Sequence, residues 1–514
     1  MSGDITRDAI ERTETVVGLE VHVRLQTRTK LFCRCENRYG QPPNTLVCPT
    51  CAGLPGALPV LNLAAVQLGV RAGLSLDCEI PPLTKWDRKQ YFYPDSPKGY
   101  QISQFDLPLC GAGYIDVPAG PTDASGDDPR SDSGANRRIG IIRAHLEEDA
   151  GKNTHEGVSG GQSRVDLNRC GTPLLEIVSA PDIQSAAQAD AYLNELKSRM
   201  THLGVSDCEM QQGSLRVDVN VNVRITANGQ TIATPIAEVK NLNSFRSVRL
   251  AIQHETERQI DQWLNDGLTI EQSGKTTRGW DDNAERSFLQ REKEESADYR
   301  YFPDPDLLPV RLPASVIDEI RDAMPELPAA AIDRLQSQYH LKTAEAEIIV
   351  GGGSAMISYF ETVAKTSGDA RRAAAWMTGE VLNQIKRAGV SIDDFVVDAE
   401  TTGDLIRRVV AGEIDNGRAR DVMIHLIESP GNDAPNNAAD KIVAAMKALG
   451  IEAVDDSAVE TLCQALLDAN PKVVQDYREG RKQAIGSLIG QARKQNPNAN
   501  SKTVRETLIR LIEN

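Results

Sequence analysis

The first residues of this sequence that could do chemistry are charged side chains that alternate with valine and leucine near its start. In residues 17–25 every second side chain is apolar, so Glu20, His22 and Arg24 lie together on one face of a predicted strand. Such a face can hold Mg²⁺ or, because histidine is an unusual ligand for that hard cation, Mn²⁺. The alternative for this segment alone is an antiparallel strand whose polar face meets solvent.

The same alternation recurs in residues 213–225, where valine and leucine occupy every second position. The polar face carries Arg216, Asp218 and Asn220, whereas a face that only meets solvent more often carries Lys, Glu and Thr. Arginine binds phosphate oxygens well, and Asp and Asn oxygens suit a hydrated metal ion. This face therefore indicates a site for a nucleotide and its metal.

Three further segments repeat the pattern, with carboxylates, cations or amides opposite apolar residues. They are residues 139–152, with Ile142, Ala144 and Leu146 opposite Arg143, His145 and Glu147 and with Glu148 and Asp149 at the end; residues 163–168, with Arg164, Asp166 and Asn168; and residues 236–243, with Glu238 and Lys240. Five such strands predict one curved sheet with helices on its apolar face and a polar cradle on the other. Carboxylates that hold Mg²⁺, beside cations that hold phosphates, are typical of phosphoryl transfer. The alternative is a barrel whose polar face is filled by salt bridges.

Four of the nine cysteines form a separate pattern, in which a CxC pair precedes a CxxC pair. They are Cys33, Cys35, Cys48 and Cys51. This spacing predicts a tetrahedral zinc site within residues 33–51. Four thiolates leave no open coordination position, so we expect a structural zinc ion and not a catalytic one. The alternative is a set of free thiols without metal.

Lysine and arginine are interleaved with aromatic residues in residues 85–104. Lys89 and Lys98, for example, stand close in sequence to Tyr91 and Tyr100. Cations beside aromatic rings suit a single-stranded nucleic-acid end or an anionic small molecule. The alternative is a buried aromatic loop with cations at its edge.

The composition bounds the class of protein. The chain has 514 residues, 40% of them hydrophobic and 25% charged, and a formal net charge of −16. These values predict an ordinary soluble protein and argue against a nucleic-acid coat protein. Apolar runs fall short of the roughly 20 residues of a membrane span, and the polar residues 1–12 do not resemble a signal peptide. Since the cysteines form no disulfide pattern, we expect a cytoplasmic protein without membrane contact.

The texture of the sequence predicts three parts. Alternating strand patterns dominate residues 1–309, helical spacing dominates residues 310–445, and residues 446–514 form a small helical tail. An insert rich in Gly, Ser and Asp, residues 120–136, predicts a surface loop. In the tail, residues 472–514 carry nine Lys and Arg against four Asp and Glu. This local reversal of charge suits an RNA contact and a solvated helical face equally well.

Long motifs in this chain resemble those of one family, the B subunits of tRNA-dependent amidotransferases (GatB). They are GLEVHVRL from Gly18, TKLFCRC from Thr29, PNTLVCPTCAGLPGALPVLN from Pro43, RKQYFYPDSPKGYQISQ from Arg88, HLEEDAGK from His145, SRVDLNRCGTPLLEIVS from Ser163, GSLRVDVNVNV from Gly213, EVKNLNSF from Glu238, RGWDD from Arg278 and DYRYFPDPDL from Asp298. The tail from Asn470 is similar to the YqeY-like end of that family. The resemblance covers nearly the whole chain, and the acidic insert after Ala119 departs from it. Some family members lack the cysteines, so the zinc prediction rests on this chain's own thiols.

This resemblance implies a fold of the α+β class. An antiparallel-sheet cradle related to the glutamine synthetase fold would be followed by an all-α helical domain and a tail that binds tRNA. It implies amidation of Asp-tRNA(Asn), Glu-tRNA(Gln) or both, in which ATP converts the side-chain carboxylate into an acyl phosphate that ammonia attacks. The ammonia would come from glutamine hydrolysed by an amidase A subunit, and a small C subunit would complete a heterotrimer.

The resemblance also implies roles for residues at matching positions. The magnesium ligands would be Glu20, His22 and Glu147 or Glu148. The groups around the nucleotide would be Arg216, Asn220 and Lys240, with Asp218 as a catalytic group between nucleotide and metal. The lining of the ammonia entrance would be Lys89, Tyr91 and Lys98, a role that competes with binding of the aminoacyl-tRNA end.

Two other functions stay open from the residues alone. A non-catalytic, zinc-stapled RNA adaptor would keep the cysteines and the basic tail but would not need Glu20, His22 and Asp218 on converging faces. An unrelated ATP-grasp-like ligase would carry a Gly-rich phosphate loop, which the sequence does not contain. ATP hydrolysis that depends on misacylated tRNA distinguishes the amidotransferase from the adaptor.

Overall fold

The structure is a computed structural model of the chain. It describes residues 6–118, 136–154, 163–291, 299–429, 437–451, 456–496 and 498–513. The insert predicted at residues 120–136 lies outside the described residues, apart from Asn136. The chain divides into two compact units, Met1–Leu327 and Pro328–Asn514. The division into three parts at residues 309 and 445 stays a prediction.

A nine-stranded sheet organises the first unit. The strands of this unit are β1 (Ile10–Arg24), β2 (Leu83–Thr84), β3 (Asp87–Gln90), β4 (Tyr100–Ser103), β5 (Gly113–Pro118), β6 (Asn136–Glu148), β7 (Lys152–Thr154), β8 (Arg164–Asp166), β9 (Pro173–Ser179), β10 (Leu215–Ala227), β11 (Gln230–Ala233), β12 (Ile236–Leu242), β13 (Lys275–Asp281), β14 (Arg286–Arg291), β15 (Phe302–Pro303) and β16 (Val310–Arg311). The large sheet has the order β14-β13-β12-β10-β1-β9-β6-β5, and β11 pairs with β10. Its pairs are antiparallel except for β12 with β13, which run parallel.

Helices cover the apolar face of this sheet. The helices of the first unit are α1 (Leu63–Ser75), α2 (Ala186–His202), α3 (Phe245–Asp266), α4 (Ile270–Ser273) and α5 (Ala314–Asp322). The side chains of Ser185 and Ser244 accept hydrogen bonds from backbone N–H groups in the first turns of α2 and α3, which fixes where these helices begin. The valines of β1 and β10 share one buried core with residues of α1, α2 and α3. Helices on the apolar face, as predicted, leave the opposite face of the sheet for polar side chains.

One of the five strands predicted for this sheet lies elsewhere. Residues 163–168 supply β8, which pairs only with β7 in a separate two-stranded sheet. The polar side chains of this segment serve local structure, since Asn168 Oδ1 accepts a hydrogen bond from the N–H of Leu46 and Asp166 Oδ1 accepts one from the N–H of Asn44. The place beside β1 belongs instead to β9, whose apolar run shows no alternation.

The alternation predicted for β6 fails at one position. Ile142 is 49% exposed, although Ile141, Ala144 and Leu146 are buried. The pairing of β6 with β9 shifts register between Ile141 and Arg143, so a bulge at this point changes the face that side chains take. Beyond the bulge, the predicted alternation holds for Ala144 and Leu146.

The second unit is all-helical among its described residues. Its helices are α6 (Pro328–Tyr339), α7 (Thr343–Gly351), α8 (Gly353–Ser367), α9 (Ala370–Trp376), α10 (Leu382–Ala388), α11 (Ala399–Val410), α12 (Asn416–Glu428), α13 (Ala438–Ala448), α14 (Asp456–Ala469), α15 (Pro471–Arg478), α16 (Ile485–Gln495) and α17 (Ser501–Glu513). They enclose two clusters of buried apolar residues, one between Ala331 and Ile451 and one between Val459 and Ile512. A mainly antiparallel sheet followed by helices confirms the predicted α+β class. None of the helices in the described ranges combines the length and the apolar character of a membrane span.

Candidate active site

The polar face of the large sheet lines a cavity of about 740 Å³. Its walls come from β1, β6, β9, β10, β12 and β13 and from residues near β3, β4 and β15. Eight of the predicted site residues line it: Glu20, His22, Lys89, Tyr91, Glu147, Arg216, Asp218 and Lys240. The lining does not include Glu148, Asn220 or Lys98. Strands that are far apart in sequence therefore bring most of the predicted site together.

Two histidines and three carboxylates form the centre of the cavity. In the sheet, Glu176 of β9 stands opposite His22 of β1 on one side and opposite His145 of β6 on the other. A Glu176 oxygen lies 3.4 Å from His22 Nε2 and 3.5 Å from His145 Nε2. A Glu147 oxygen lies 3.7 Å from His22 Nε2, and so does a Glu20 oxygen.

These five residues form two overlapping sets that fit a divalent cation. In each set, Glu20, His22 and Glu176 or His145, Glu147 and Glu176, the ligand atoms lie within 4.8 Å of one another. Carboxylate oxygens suit Mg²⁺, and the imidazole nitrogens extend the choice to Mn²⁺. Since Glu176 belongs to both sets, it can serve one cation or lie between two.

The surroundings give the two histidines different charge states. Although burial opposes protonation, a hydrogen bond with Glu176 and the charges of Glu176 and Glu147 raise the pKa of His22 to about 9. Burial lowers the pKa of His145. At neutral pH, His22 is therefore protonated and His145 neutral, and a cation bound through His22 must displace a proton. Burial and the charge of Glu176 also raise the pKa of Glu20.

Sequence analysis missed Glu176, the carboxylate that both histidines approach. Its strand, β9, is buried between β1 and β6 and reads as the apolar run PLLEIVS, so periodicity gives no polar face. The available signal was a single carboxylate inside that run, because a buried charge requires partners. His145 was placed on the predicted polar face of β6 but was given no role.

Cations line the side of the cavity formed by β10, β12 and β13. Lys240 Nζ lies 2.6 Å from an Asp218 oxygen and 3.4 Å from a Glu238 oxygen. Lys275 Nζ lies 3.2 Å from the same Glu238 oxygen. Although burial opposes protonation, the charges of Asp218 and Glu238 raise the pKa of Lys240, which keeps its ammonium group charged. These ammonium groups can contact phosphate oxygens.

An arginine lies beside this group and is held by a buried carboxylate. Arg216 contacts Asp149 at 2.9 Å, and Asp149 also lies 3.3 Å from Arg169. Arg216 Nε has no hydrogen-bond partner among the described residues, so one of its donors is available to a ligand. Asn220 follows Asp218 on the same face of β10 but lies outside the cavity lining, and its nucleotide role stays a prediction.

The residues predicted at the ammonia entrance divide into two groups. Lys89 and Tyr91 line the cavity, whereas Lys98 lies behind its wall in a buried ion pair with Glu148. Glu148 also accepts a hydrogen bond of 2.9 Å from a backbone N–H of β4. Successive side chains of a strand point to opposite faces, so Glu147 faces the cavity and Glu148 does not.

The four predicted zinc ligands converge in the loops that follow β1. The sulfur atoms of Cys33, Cys35, Cys48 and Cys51 all lie within 4.8 Å of one another. The distance between the sulfurs of Cys48 and Cys51 is 3.9 Å, close to the roughly 3.8 Å that a tetrahedron with Zn–S bonds of 2.3 Å requires. A hydrogen bond from Cys33, with a backbone N–H and the buried Lys30 ammonium group, lowers the pKa of Cys51 to about 4. The set therefore fits a structural zinc ion.

Comparison with known proteins agrees with this fold and site. The family model described as the GatB/GatE catalytic domain matches residues 15–318, and a second model, described as a GatB domain, matches residues 358–512. The B subunit of the aspartyl/glutamyl-tRNA(Asn/Gln) amidotransferase from Rhodopirellula baltica is 56% identical over 97% of this chain and 96% of its own length. The protein of the same name from Caldanaerobacter subterraneus is 41% identical over 96% of this chain and 99% of its own length.

A plant relative extends this group. The B subunit of the chloroplastic/mitochondrial glutamyl-tRNA(Gln) amidotransferase from Oryza sativa is 41% identical over 95% of this chain and 86% of its own length. The cradle sheet with its central carboxylates thus defines a catalytic domain of the GatB/GatE type. The chain belongs to the GatB family, as the motifs of its sequence indicated.

Proposed function

We propose that this chain is the ATP-using component of a tRNA-dependent amidotransferase. It would convert Asp-tRNA(Asn), Glu-tRNA(Gln) or both into the amidated forms. Beside family membership, one observation supports this proposal most: a single cavity contains a carboxylate and histidine cluster next to Lys240, Lys275 and Arg216. A metal-binding centre beside phosphate-binding cations is what transfer of the γ-phosphate to a carboxylate requires.

The chemistry begins with a carboxylate that cannot release oxide to ammonia. Transfer of the γ-phosphate from ATP to the carboxylate oxygen yields an acyl phosphate and ADP. Ammonia then attacks the acyl carbon, the C–O bond to phosphate breaks, and the products are the amide and inorganic phosphate. When bound by Glu20, His22, Glu147 and Glu176, Mg²⁺ or Mn²⁺ would neutralise charge that develops on the phosphoryl oxygens.

The chain's own residues would position the two reactants. Lys240, Lys275 and Arg216 would contact the phosphates of ATP, and Asp218 would orient Lys240 through their ion pair of 2.6 Å. Lys89, whose pKa is raised by the nearby Glu147 although burial opposes protonation, stays charged and would attract the substrate carboxylate. Asn220 would act from the edge of the nucleotide site.

The ammonia would reach this cavity from glutamine hydrolysed by an amidase A subunit, and a small C subunit would complete the complex. The entrance would pass Tyr91 and the buried pair of Lys98 and Glu148. We therefore assign the metal-ligand role, left open between two glutamates, to Glu147 and a role in ammonia entry to Glu148. The protein would work in the cytoplasm, with zinc at its four clustered cysteines and the basic tail on the tRNA.

The Glu20→Gln variant tests the phosphoryl-transfer site. The assembled complex that carries this variant should lose several orders of magnitude in amidation and should lose ATP hydrolysis that depends on misacylated tRNA, and free ammonium should not restore either. Glu14→Gln is the matched control, because Glu14 lies on the same strand and face but outside the cavity lining. Rescue of Glu20→Gln by ammonium would show that Glu20 serves ammonia delivery and not phosphoryl transfer.

A second experiment separates Glu147 from Glu148. The double variant Lys98→Met/Glu148→Gln removes both partners of the buried pair, so no unpaired charge is left in the interior. If the pair serves ammonia entry, glutamine-dependent amidation should fall while added ammonium restores it, whereas Glu147→Gln should not respond to ammonium. A double variant that ammonium does not restore would return Glu148 to the metal site.

A further inference from the structure

Aromatic rings collect at one end of the cavity, opposite the cations of β12 and β13. Phe105 and Tyr301 are stacked with their centroids 4.4 Å apart and their planes at 13°. Tyr299 meets Tyr301 edge-on at 6.1 Å, and the Lys89 ammonium group lies 5.1 Å above the ring of Tyr299. Phe105, Tyr299 and Tyr301 all line the cavity, so the rings form a path from its mouth toward its carboxylates.

Phe105 is the outer ring of this path, and its position is fixed although its side chain is free. The ring is 60% exposed. Its backbone N–H donates to Asp87 Oδ2 at 3.1 Å, and the preceding residue, the buried Gln104, accepts hydrogen bonds from the N–H groups of Leu109 and Leu146. A rigid backbone thus presents an exposed phenyl face at the mouth of a charged cavity. Such a face suits a flat, apolar ligand surface more than it suits water.

We infer that the exposed face of Phe105, backed by Tyr301, stacks with the terminal adenine of the tRNA 3′ end. This inference rests on the proposed function for the identity of the substrate and adds where its end is held. Nucleic-acid bases stack on aromatic side chains in proteins that bind single strands. The neighbouring Lys89 lies where the aminoacyl carboxylate would reach past the ribose.

The order of groups across the sheet distinguishes this adenine from that of ATP. In the reacting complex, the γ-phosphate, the side-chain carboxylate, the ribose ester and the adenine follow one another in a line. The sheet presents cations on β12 and β10, then the metal-binding cluster on β1, β9 and β6, then the aromatic path beside β6. From β12 to β6 there are four strand spacings, roughly 19 Å. An adenine on Phe105 is therefore at the acyl-acceptor end of this line and far from the phosphate-binding cations.

A binding experiment on the assembled complex tests the inference. The wild type should bind tRNA that ends in CCA roughly 5- to 150-fold more tightly than the same tRNA without its terminal adenosine, the range that one base–aromatic stack spans. Phe105→Ala should bind both tRNAs with equal affinity, and so should Phe105→Leu, which keeps apolar bulk but has no ring. Phe105→Tyr should retain the preference. Phe92→Ala is the matched control, because Phe92 is 81% exposed in the same region but does not line the cavity.

Four results would overturn the inference. They are a wild type that does not distinguish the two tRNAs, a Phe105→Ala variant that still does, a Phe105→Ala variant whose defect is a raised KM for ATP, and one that loses assembly of the complex but keeps the preference for terminal adenosine. The binding experiment does not require turnover, so its result is separate from the fate of the proposed function. A complex that prefers the terminal adenosine through Phe105 but forms no amide would support the platform and refute the reaction.

Discussion

Replacing Glu176 by glutamine tests the centre of the site with a measurable magnitude. This carboxylate lies 3.4 Å from His22 and holds the pKa of that imidazole at about 9. Without it, burial should bring the pKa of His22 to 6.5 or below. A fall of about 2.5 pH units corresponds to about 3 kcal/mol. Two unit charges at 3.4 Å with an effective dielectric constant near 20 interact by about 5 kcal/mol, which is the same order.

The assay is an NMR titration of the histidine ring protons in chelator-treated protein, with the His22 signal assigned from a His22→Gln variant. Glu238→Gln is the control, because Glu238 lines the same cavity but pairs with Lys240 and Lys275. The pKa of His22 should stay near 9 in that control. An unchanged pKa in Glu176→Gln, or an equal fall in both variants, would refute the assignment of Glu176 as the partner of His22.

The same interaction predicts how stability depends on pH. The folded-state pKa of His22 lies above its unfolded value of about 6.5, so protonation of His22 stabilises the fold fully below pH 6.5. That contribution is lost as the pH rises through about 9. Glu176→Gln should therefore lower the free energy of unfolding most below pH 6.5, and the difference from wild type should shrink toward pH 9. Urea denaturation at several pH values measures this dependence.

Three further predictions concern other parts of the molecule. Cys48→Ser should release about one zinc ion per chain and destabilise residues 30–60, since structural zinc contributes on the order of 10 kcal/mol in small sites; equal stability without metal would contradict this. Neutralising three exposed tail lysines, Lys482, Lys494 and Lys502, should flatten the dependence of log tRNA affinity on log salt by roughly 0.7–0.9 for each phosphate that is no longer neutralised, whereas an unchanged slope would mean that these lysines meet only solvent. Glu255→Gln should cost about 3–5 kcal/mol at pH 7, because the fully buried Glu255 is held by arginine side chains that lower its pKa although burial opposes ionisation. The loss should diminish as the pH falls below about 4, where the unfolded carboxyl binds a proton first, and the exposed Glu257→Gln control should show neither effect.

Much of this protein follows from local patterns in its sequence. Alternation alone places Glu20 and His22 on one face of β1 and Arg216 and Asp218 on one face of β10, because side chains of a strand alternate whatever it pairs with. The cysteine spacing predicted a cluster that the structure brings within ligand distance, since short loops keep such residues together. The motifs identified the family, which the comparisons confirm.

The partners of those faces depend on the tertiary structure. Strand order puts β9 between β1 and β6, and register puts Glu176 opposite both His22 and His145; no pattern inside PLLEIVS encodes either neighbour. A shift of one residue reverses the face of every side chain, so the choice between Glu147 and Glu148 required the observed pairing. The bulge that exposes Ile142 is such a shift.

Sequence by itself thus determined the chemical types of this site and the faces that carry them. The tertiary structure decided which of those faces meet, that residues 163–168 brace the cysteine loops and do not enter the sheet, and that Phe105 is exposed at the mouth of the cavity. The physical reason is the range of the interactions. Backbone geometry repeats every two residues, whereas pairing between strands is set by burial of the whole core across hundreds of residues.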